Sequence, residues 1–132
     1  MAKQPLTPRE LEVLKILWNC GSAPVREIRD GMKESDAPYT TVLSLMQQMH
    51  RKGLVGHRKS GKAYVYFPRI RRSTAFRTLT AEFIDRVFDG AMDEFVMRAI
   101  ESRKPSEEEL DQLERAVAEA RARLADKPES KS

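Results

Sequence analysis

The sequence predicts a mainly α-helical protein with one small β-hairpin, divided into two domains. Apolar residues recur at helical spacing in six separate segments, whereas two short segments within residues 54–67 are rich in aromatic and β-branched residues and flank a Lys-Ser-Gly-Lys turn. The charge also changes along the chain. Residues 1–80 contain 15 Lys and Arg against 6 Asp and Glu, whereas residues 81–132 contain 9 against 14. A basic first part and an acidic second part indicate different partners for the two.

The first two helices are predicted from their start and stop signals. Thr7 is a good N-cap, Glu10 completes a capping box with it, and Gly21 ends the helix that follows. A second helix is expected to begin between Ser22 and Pro24. Its inner stripe is expected to consist of Val25, Ile28 and Met32.

The third predicted helix has two unlike faces. Thr40 or Thr41 can cap it, and Gly53 supplies the left-handed residue at which it ends. One face is apolar at helical spacing and consists of Val42, Leu45, Met46 and Met49. The opposite face is mostly polar and carries no charge.

A β-hairpin is predicted after the third helix. Residues 54–58 and 63–67 are expected to be strands, and Gly61 lies in the turn between them at a position that tolerates a positive φ. Pro68 ends the second strand. Three helices followed by a hairpin is the winged helix-turn-helix arrangement, an elaboration of the DNA-binding helix-turn-helix. We place this winged-helix DNA-binding domain at residues 1–70.

The charge of this domain indicates a polyanion as its partner. Residues 51–72 include eight basic residues and no acidic one, which is unlike the mixed signs of an ordinary solvated face. The uncharged polar face of the third helix suits a DNA major groove, where it can read base edges. The predicted base-reading residues are Tyr39, Thr40, Leu43, Ser44 and Gln47. The predicted phosphate-binding residues are Thr41, Arg51, Lys52, His57, Arg58, Lys59 and Lys62. Simple solvation of Gln47, helix capping by Thr41 and plain exposure of His57 remain the alternatives.

Three further helices are predicted after residue 70, and the last begins at a Ser106–Glu109 capping box. Their apolar stripes need another surface, and a second copy of the chain in an isologous dimer is favoured over folding back onto the first domain. We therefore place a helical dimerisation domain at residues 71–126 and a flexible tail at 127–132. The predicted dimer contacts are Phe76, Leu79, Phe83, Ile84, Val87, Phe88, Phe95, Val96, Ile100, Leu110, Leu113 and Val117.

The sequence does not favour an enzyme, a metal protein, a protein with a cofactor or a membrane protein. Cys20, His50 and His57 are the only nucleophile and base residues that stand out, and three residues alone cannot close a structural zinc site. We interpret Cys20 as small buried packing rather than a redox sensor. The apolar runs are too short to span a bilayer, and the first five residues lack a secretion signal, so a cytoplasmic protein is expected.

Several of these segments match a known pattern together: TPRELEVLKILW, SAPVREIRD, TTVLSLMQQMHRKGLV and AYVYFP, followed by FIDRVFDG and the sixth helix. In this combination the chain resembles the penicillinase repressor family (the BlaI/MecI type). The resemblance implies a bacterial transcriptional repressor that binds, as a homodimer, to palindromic operators with TACA/TGTA half-sites. In the best-known members, a membrane sensor with a protease domain is encoded beside the repressor, and cleavage of the repressor relieves repression.

This sequence departs from that family pattern at two places. The cleaved members carry an Asn-Phe bond in the fifth helix, where this chain has Arg98-Ala99. The difference argues against cleavage at that bond and leaves a neighbouring site or a different protease as alternatives. Copper-responsive relatives carry C-terminal cysteines, and residues 81–132 contain none. The alternative to a repressor is a winged-helix module that holds a protein partner without reading bases, and the unbroken basic run speaks against it.

Overall fold

The computed structural model describes residues 6–126, and within them the mainly α-helical fold with a small hairpin is confirmed. In chain order the elements are α1 (Pro8–Cys20), β1 (Ala23–Pro24), α2 (Val25–Gly31), α3 (Tyr39–Arg51), β2 (Val55–Ser60), β3 (Ala63–Pro68), α4 (Arg72–Phe88), α5 (Met92–Ser102) and α6 (Glu107–Asp126). The predicted tail at residues 127–132 lies outside the described part of the chain.

Helix α1 begins and ends where its local signals predict. The Glu10 N–H donates to Thr7 Oγ1 at 3.1 Å, and the Thr7 N–H donates to Glu10 Oε1 at 3.0 Å, so the capping box is complete. The Gly21 N–H donates to the Leu17 carbonyl at 2.7 Å and closes the helix. Both signals act within four residues, which is why the sequence alone could locate them.

The boundaries of α2 and α3 differ from the prediction. Residues Ala23 and Pro24 form strand β1, which pairs antiparallel with β3, so α2 begins only at Val25. Helix α3 begins at Tyr39, and Pro38 rather than a threonine is its N-cap. The fixed φ of a proline suits this position, but its side chain has no oxygen that could accept a hydrogen bond from the first turn.

A three-stranded antiparallel sheet in the order β1-β3-β2 closes the first part of the chain. The hairpin register runs from Val55 opposite Pro68 to Ser60 opposite Ala63, and the turn between the strands contains Gly61 at φ 65°. The core beneath the sheet is built from α1, α2, α3 and the strands. Its buried residues are Val13, Leu14, Leu17, Ala23, Val25, Ile28, Met32, Val42, Met46, Met49, Val55 and Tyr66.

The chain divides into two compact units between Phe83 and Ile84, inside α4. In the first unit, the start of α4 packs on α1: the Phe76 ring lies edge-on to Trp18 with 5.9 Å between ring centroids. The Trp18 indole also donates to the Ile70 carbonyl at 2.9 Å. Part of the Phe76 ring therefore packs within its own unit, and its assignment as a dimer contact stays a prediction.

The second unit contains the end of α4, together with α5 and α6. Its internal packing includes the Phe88 and Phe95 rings, whose centroids are 5.7 Å apart. Helix α6 begins at the predicted capping box, where the Glu109 N–H donates to Ser106 Oγ at 3.0 Å and the Ser106 N–H donates to Glu109 Oε1 at 2.9 Å. No residue of α5 or α6 is buried in the described chain. An amphipathic helix pair without a buried residue has an apolar face that still lacks a partner.

Candidate nucleic-acid interface

Helix α3 has the two faces that the sequence predicts. Val42, Met46 and Met49 are buried in the core, and this burial fixes the opposite face outward. The residues predicted to read bases lie on that outward face, and four of them are exposed: Tyr39, Thr40, Ser44 and Gln47. Leu43 differs, because it is half-buried and packs against the core. Only part of its side chain is left to meet a ligand.

A regular bend joins the end of α3 to strand β2. The Leu54 N–H donates to the Met49 carbonyl and the Gly53 N–H donates to the His50 carbonyl, both at 3.0 Å. This pair of bonds is a Schellman motif, and Gly53 adopts the φ of 79° that the motif requires. A hydrogen bond joins this bend to the residue that follows strand β3: the Arg69 N–H donates to the Leu54 carbonyl at 2.8 Å.

Lys52, the C-cap of α3, forms an internal ion pair that the sequence did not predict. Its ammonium lies 2.8 Å from both carboxylate oxygens of Glu10, and the two side chains are only 10% and 1% exposed. The sequence could not reveal this ion pair, since 42 residues separate the partners and the capping box already explained Glu10. The Lys52 ammonium is therefore engaged by an internal carboxylate, and its assignment as a phosphate contact stays a prediction.

The two strands of the hairpin, which we call the wing (Val55–Pro68), present different side chains on their two faces. Successive residues of a strand point to opposite faces, so Lys59 shares a face with His57 whereas Arg58 lies on the other. The Arg58 guanidinium lies 5.7 Å from the centre of the Phe67 ring on that second face. Lys62 is exposed in the turn. Lys59 and Lys62 are therefore the wing cations best placed at its tip.

An aromatic stack joins α3 to the wing. The ring centroids of His50 and His57 are 4.3 Å apart and the rings are stacked at 27°, and the Tyr64 ring, tilted by 55°, lies 4.5 Å from His57. His57 Nδ1 is buried and has no hydrogen-bond partner among residues 6–126. The His57 ring therefore contacts both α3 and the wing, and its assignment as a phosphate contact stays a prediction. Sequence reasoning missed the stack, although the alternation of His57, Tyr64 and Tyr66 on paired strands contained the signal.

Three tyrosines, one at the start of α3 and two on strand β3, lie near one another. Burial raises the pKa of the Tyr66 phenol, and the nearby phenols of Tyr39 and Tyr64 raise it further. Tyr39 and Tyr64 are each 48% exposed, so they place aromatic surface at the start of α3 and on the wing respectively. Tyr64 was not among the predicted site residues.

The basic run of residues 51–72 is largely on the surface. Apart from Lys52, every cation in the run is exposed: Arg51, Arg58, Lys59, Lys62, Arg69, Arg71 and Arg72. Arg72 covers the Phe76 ring, with its guanidinium carbon 4.7 Å from the ring centre. No acidic residue interrupts this run in the sequence, so the exposed charges that it contributes to the surface are all positive.

The second unit exposes the apolar residues that the sequence assigns to a dimer. Val87, Ile100, Leu110, Leu113 and Val117 are all exposed, and Val117 retains 54% of its surface. Met92 and Leu124, which the prediction omitted, are 65% and 75% exposed. Within this unit, α5 and α6 together line an open apolar groove that includes Val96, Ile100, Leu113 and Val117.

Other candidate chemistry finds little support in the described residues. Among them, no three His, Cys, Asp or Glu side chains lie together as a metal site would need. No helix between residues 6 and 126 is long and apolar enough to cross a membrane. Cys20 is exposed, which corrects its interpretation as buried packing: it is the last residue of α1 and does not belong to the buried face of that helix.

Comparison with known proteins assigns the chain to a family. Residues 6–119 match the family pattern described as "Penicillinase repressor", which is most of the chain. The chain belongs to the penicillinase repressor family. The resemblance predicted from the sequence is thereby confirmed, and this family is one of repressors rather than enzymes.

Two curated relatives match most of this chain, and one solved domain matches about half of it. The penicillinase repressor of Bacillus licheniformis is 29% identical over 125 residues, which cover 93% of this chain and 98% of the relative. The methicillin resistance regulatory protein MecI of Staphylococcus aureus (strain N315) is 23% identical over 109 residues, covering 82% and 89%. The solution structure of the DNA-binding domain of the repressor BlaI is 28% identical, covers 55% of this chain and 90% of that domain, and has a TM-score of 0.48.

Proposed function

We propose that this member of the family is a homodimeric, sequence-specific DNA-binding repressor that recognises a palindromic operator with TACA/TGTA-like half-sites. The observation that carries the proposal is the pairing of two surfaces. An exposed, uncharged polar face on α3 lies next to a wing and helix end whose exposed charges are all positive. Such a repressor acts where the bacterial chromosome is, in the cytoplasm.

Base reading is assigned to the outward face of α3. The major groove of B-DNA admits one helix, and its base edges offer donors, acceptors and thymine methyl groups. Gln47 is exposed and can pair with N6 and N7 of adenine, whereas Thr40 and Ser44 can serve bases through their hydroxyls. Tyr39 and the exposed part of Leu43 complete the face, and Leu43 suits a thymine methyl. No arginine lies on this face, so A·T-rich half-sites fit it better than G·C-rich ones.

Phosphate binding is assigned to the groups around that face. Arg51 at the end of α3 and Lys59 and Lys62 on the wing are exposed cations, and Arg58 adds a further charge from the second face of the wing. At the other end of α3, Pro38 provides no side-chain cap, so the N–H groups of Tyr39 and Thr40 and the hydroxyl of Thr41 can meet an anion, whereas the Thr41 N–H donates to the Pro38 carbonyl. We thus assign phosphate contacts to both the start and the end of α3, on either side of the face that reads bases.

Dimerisation is assigned to the second unit. An apolar surface that includes Val87, Ile100, Leu113 and Val117 is exposed there, and a surface of this kind marks an interaction site. A second copy of the same unit offers an equal surface, and two copies related by a twofold axis bury both at once. A protein dimer with twofold symmetry binds DNA sites that are palindromic, and this supports the proposal of a palindromic operator.

The test is binding to defined DNA by the full-length protein. Fluorescence anisotropy is measured with a duplex that carries palindromic TACA/TGTA half-sites and with its scrambled counterpart, at physiological salt. The repressor assignment predicts tighter binding to the palindrome by at least about 10³-fold. Equal affinity for the two duplexes would refute base reading. A protein partner that is still retained after nuclease treatment would then favour the winged-helix interaction module.

A further inference from the structure

We propose that Glu10 and Lys52 form a positioning pair that sets α3 and the wing for base reading. The pair itself touches no base and no phosphate in this assignment. The inference rests on the proposed function, because positioning has meaning only if α3 reads DNA. It gives a role to the Lys52 ammonium, which the capping box of α1 does not require.

The pair is buried, and its geometry is fixed at both ends. Glu10 is fully buried, and its two carboxylate oxygens each accept from the Lys52 ammonium at 2.8 Å. Oε1 also accepts from the Thr7 N–H, so the carboxylate cannot rotate without breaking the capping box of α1. The Glu10 carboxylate accepts three hydrogen bonds in a buried site, and hydrogen bonds fix the orientation of their partners, whereas an apolar contact does not.

Lys52 lies at the hinge between the two proposed DNA-binding elements. It is the C-cap of α3, and the next two residues, Gly53 and Leu54, form the Schellman bend that leads into the wing. The Leu54 carbonyl then accepts from the Arg69 N–H beyond the second wing strand. The Lys52 side chain therefore anchors the junction between α3 and the wing to helix α1.

Stability alone does not account for such a pair. Taking two charges out of water offsets much of their mutual attraction, so a buried ion pair is often no more stable than apolar residues of the same size. What a buried pair does provide is a single geometry, because any displacement leaves a charge without its partner. In a reader of base edges, a displacement of about 1 Å is enough to lose a productive contact.

The experiment is a double-mutant cycle in the full-length protein: Glu10→Gln, Lys52→Met and the double variant. Glutamine keeps the capping box, since Gln can replace Glu at that position. For each protein, the affinity for the TACA/TGTA palindrome and for its scrambled counterpart is measured from 0.1 to 0.3 M salt. Thermal unfolding by circular dichroism is measured in parallel, and binding is carried out well below each midpoint.

The positioning role predicts the same loss in all three variants. Each single variant is expected to lose about tenfold in the ratio of palindrome to scrambled affinity, and the double variant no more than either single one. Hydrogen exchange at the Gly53 and Leu54 amides is expected to rise in all three. The double variant has no unpaired buried charge, so it remains informative if a single variant does not fold.

Lys59→Met is the matched control, because it removes the same charge from an exposed position on the wing. It is expected to weaken both duplexes alike and to leave their ratio unchanged. If Lys52→Met behaves like Lys59→Met while Glu10→Gln binds like the wild type, Lys52 is a phosphate contact and the inference is overturned. A double variant that discriminates like the wild type also overturns it. If the wild type itself does not discriminate, the proposed function fails, and this inference fails with it.

Discussion

Removing one wing lysine is expected to weaken DNA binding by an amount that can be worked out in advance. Lys62 is exposed in the turn of the wing and makes no ion pair with any residue between 6 and 126. In a dimer, Lys62→Ala removes two phosphate contacts, and each contact contributes about 0.9 to the slope of log affinity against log salt. The slope should therefore fall by about 1.8. Taking the contacts as purely electrostatic, the affinity should fall about 60-fold at 0.1 M salt and about 20-fold at 0.2 M.

The assay is fluorescence anisotropy with the palindrome and the scrambled duplex over a salt series. Both duplexes should lose the same factor, because a phosphate contact carries no base information. Lys15→Ala is the control, since Lys15 is an exposed lysine of α1 outside the basic run and should leave the slope unchanged. An unaltered slope in Lys62→Ala, or a loss confined to the palindrome, would refute the assignment of the wing to phosphates.

Three further outcomes are expected. Gln47→Ala should weaken binding to the palindrome by about 1–3 kcal/mol for each half-site without changing the salt slope, and equal weakening of both duplexes would contradict its role in base reading. Val117→Glu should raise the dimer dissociation constant about 100-fold in analytical ultracentrifugation. Ala118→Glu, the same charge change outside the groove, should not, and equal effects would argue against the proposed dimer face. Met46→Ala should cost about 2–5 kcal/mol in urea unfolding, because Met46 is fully buried, and a loss below 1 kcal/mol would contradict its place in the core.

Local signals explain how much of the fold could be predicted. The capping boxes at Thr7 and Ser106 and the glycine bend at Gly53 each depend on residues within a few positions of one another, and all three are present. Long-range contacts explain the errors. Strand β1 has only two residues and exists because it pairs with β3 more than 40 positions later, which no local pattern reveals.

The candidate site divides in the same way. The reading face of α3 follows from helical periodicity, since burial of Val42 and Met46 turns Thr40 and Gln47 outward. The ion pair of Lys52 could not be predicted, because a charged side chain on a basic segment is equally compatible with solvent, phosphate or an internal partner. Only the placement of Glu10 beside it shows the internal partner. The base-reading and phosphate assignments stay predictions, those of Lys52 and His57 included.

The peptide bond between Arg98 and Ala99 has a kinetic consequence. It lies within helix α5, and the Arg98 guanidinium is held 2.7 Å from Glu101 and 3.5 Å from Glu94. By its chemistry this is a bond for a trypsin-like protease, which selects a basic residue before the cut. A helical segment must open before a protease can act on it, so the cleavage rate measures the population of the opened form. The rate at which a trypsin-like protease cuts this bond therefore reports how often α5 opens.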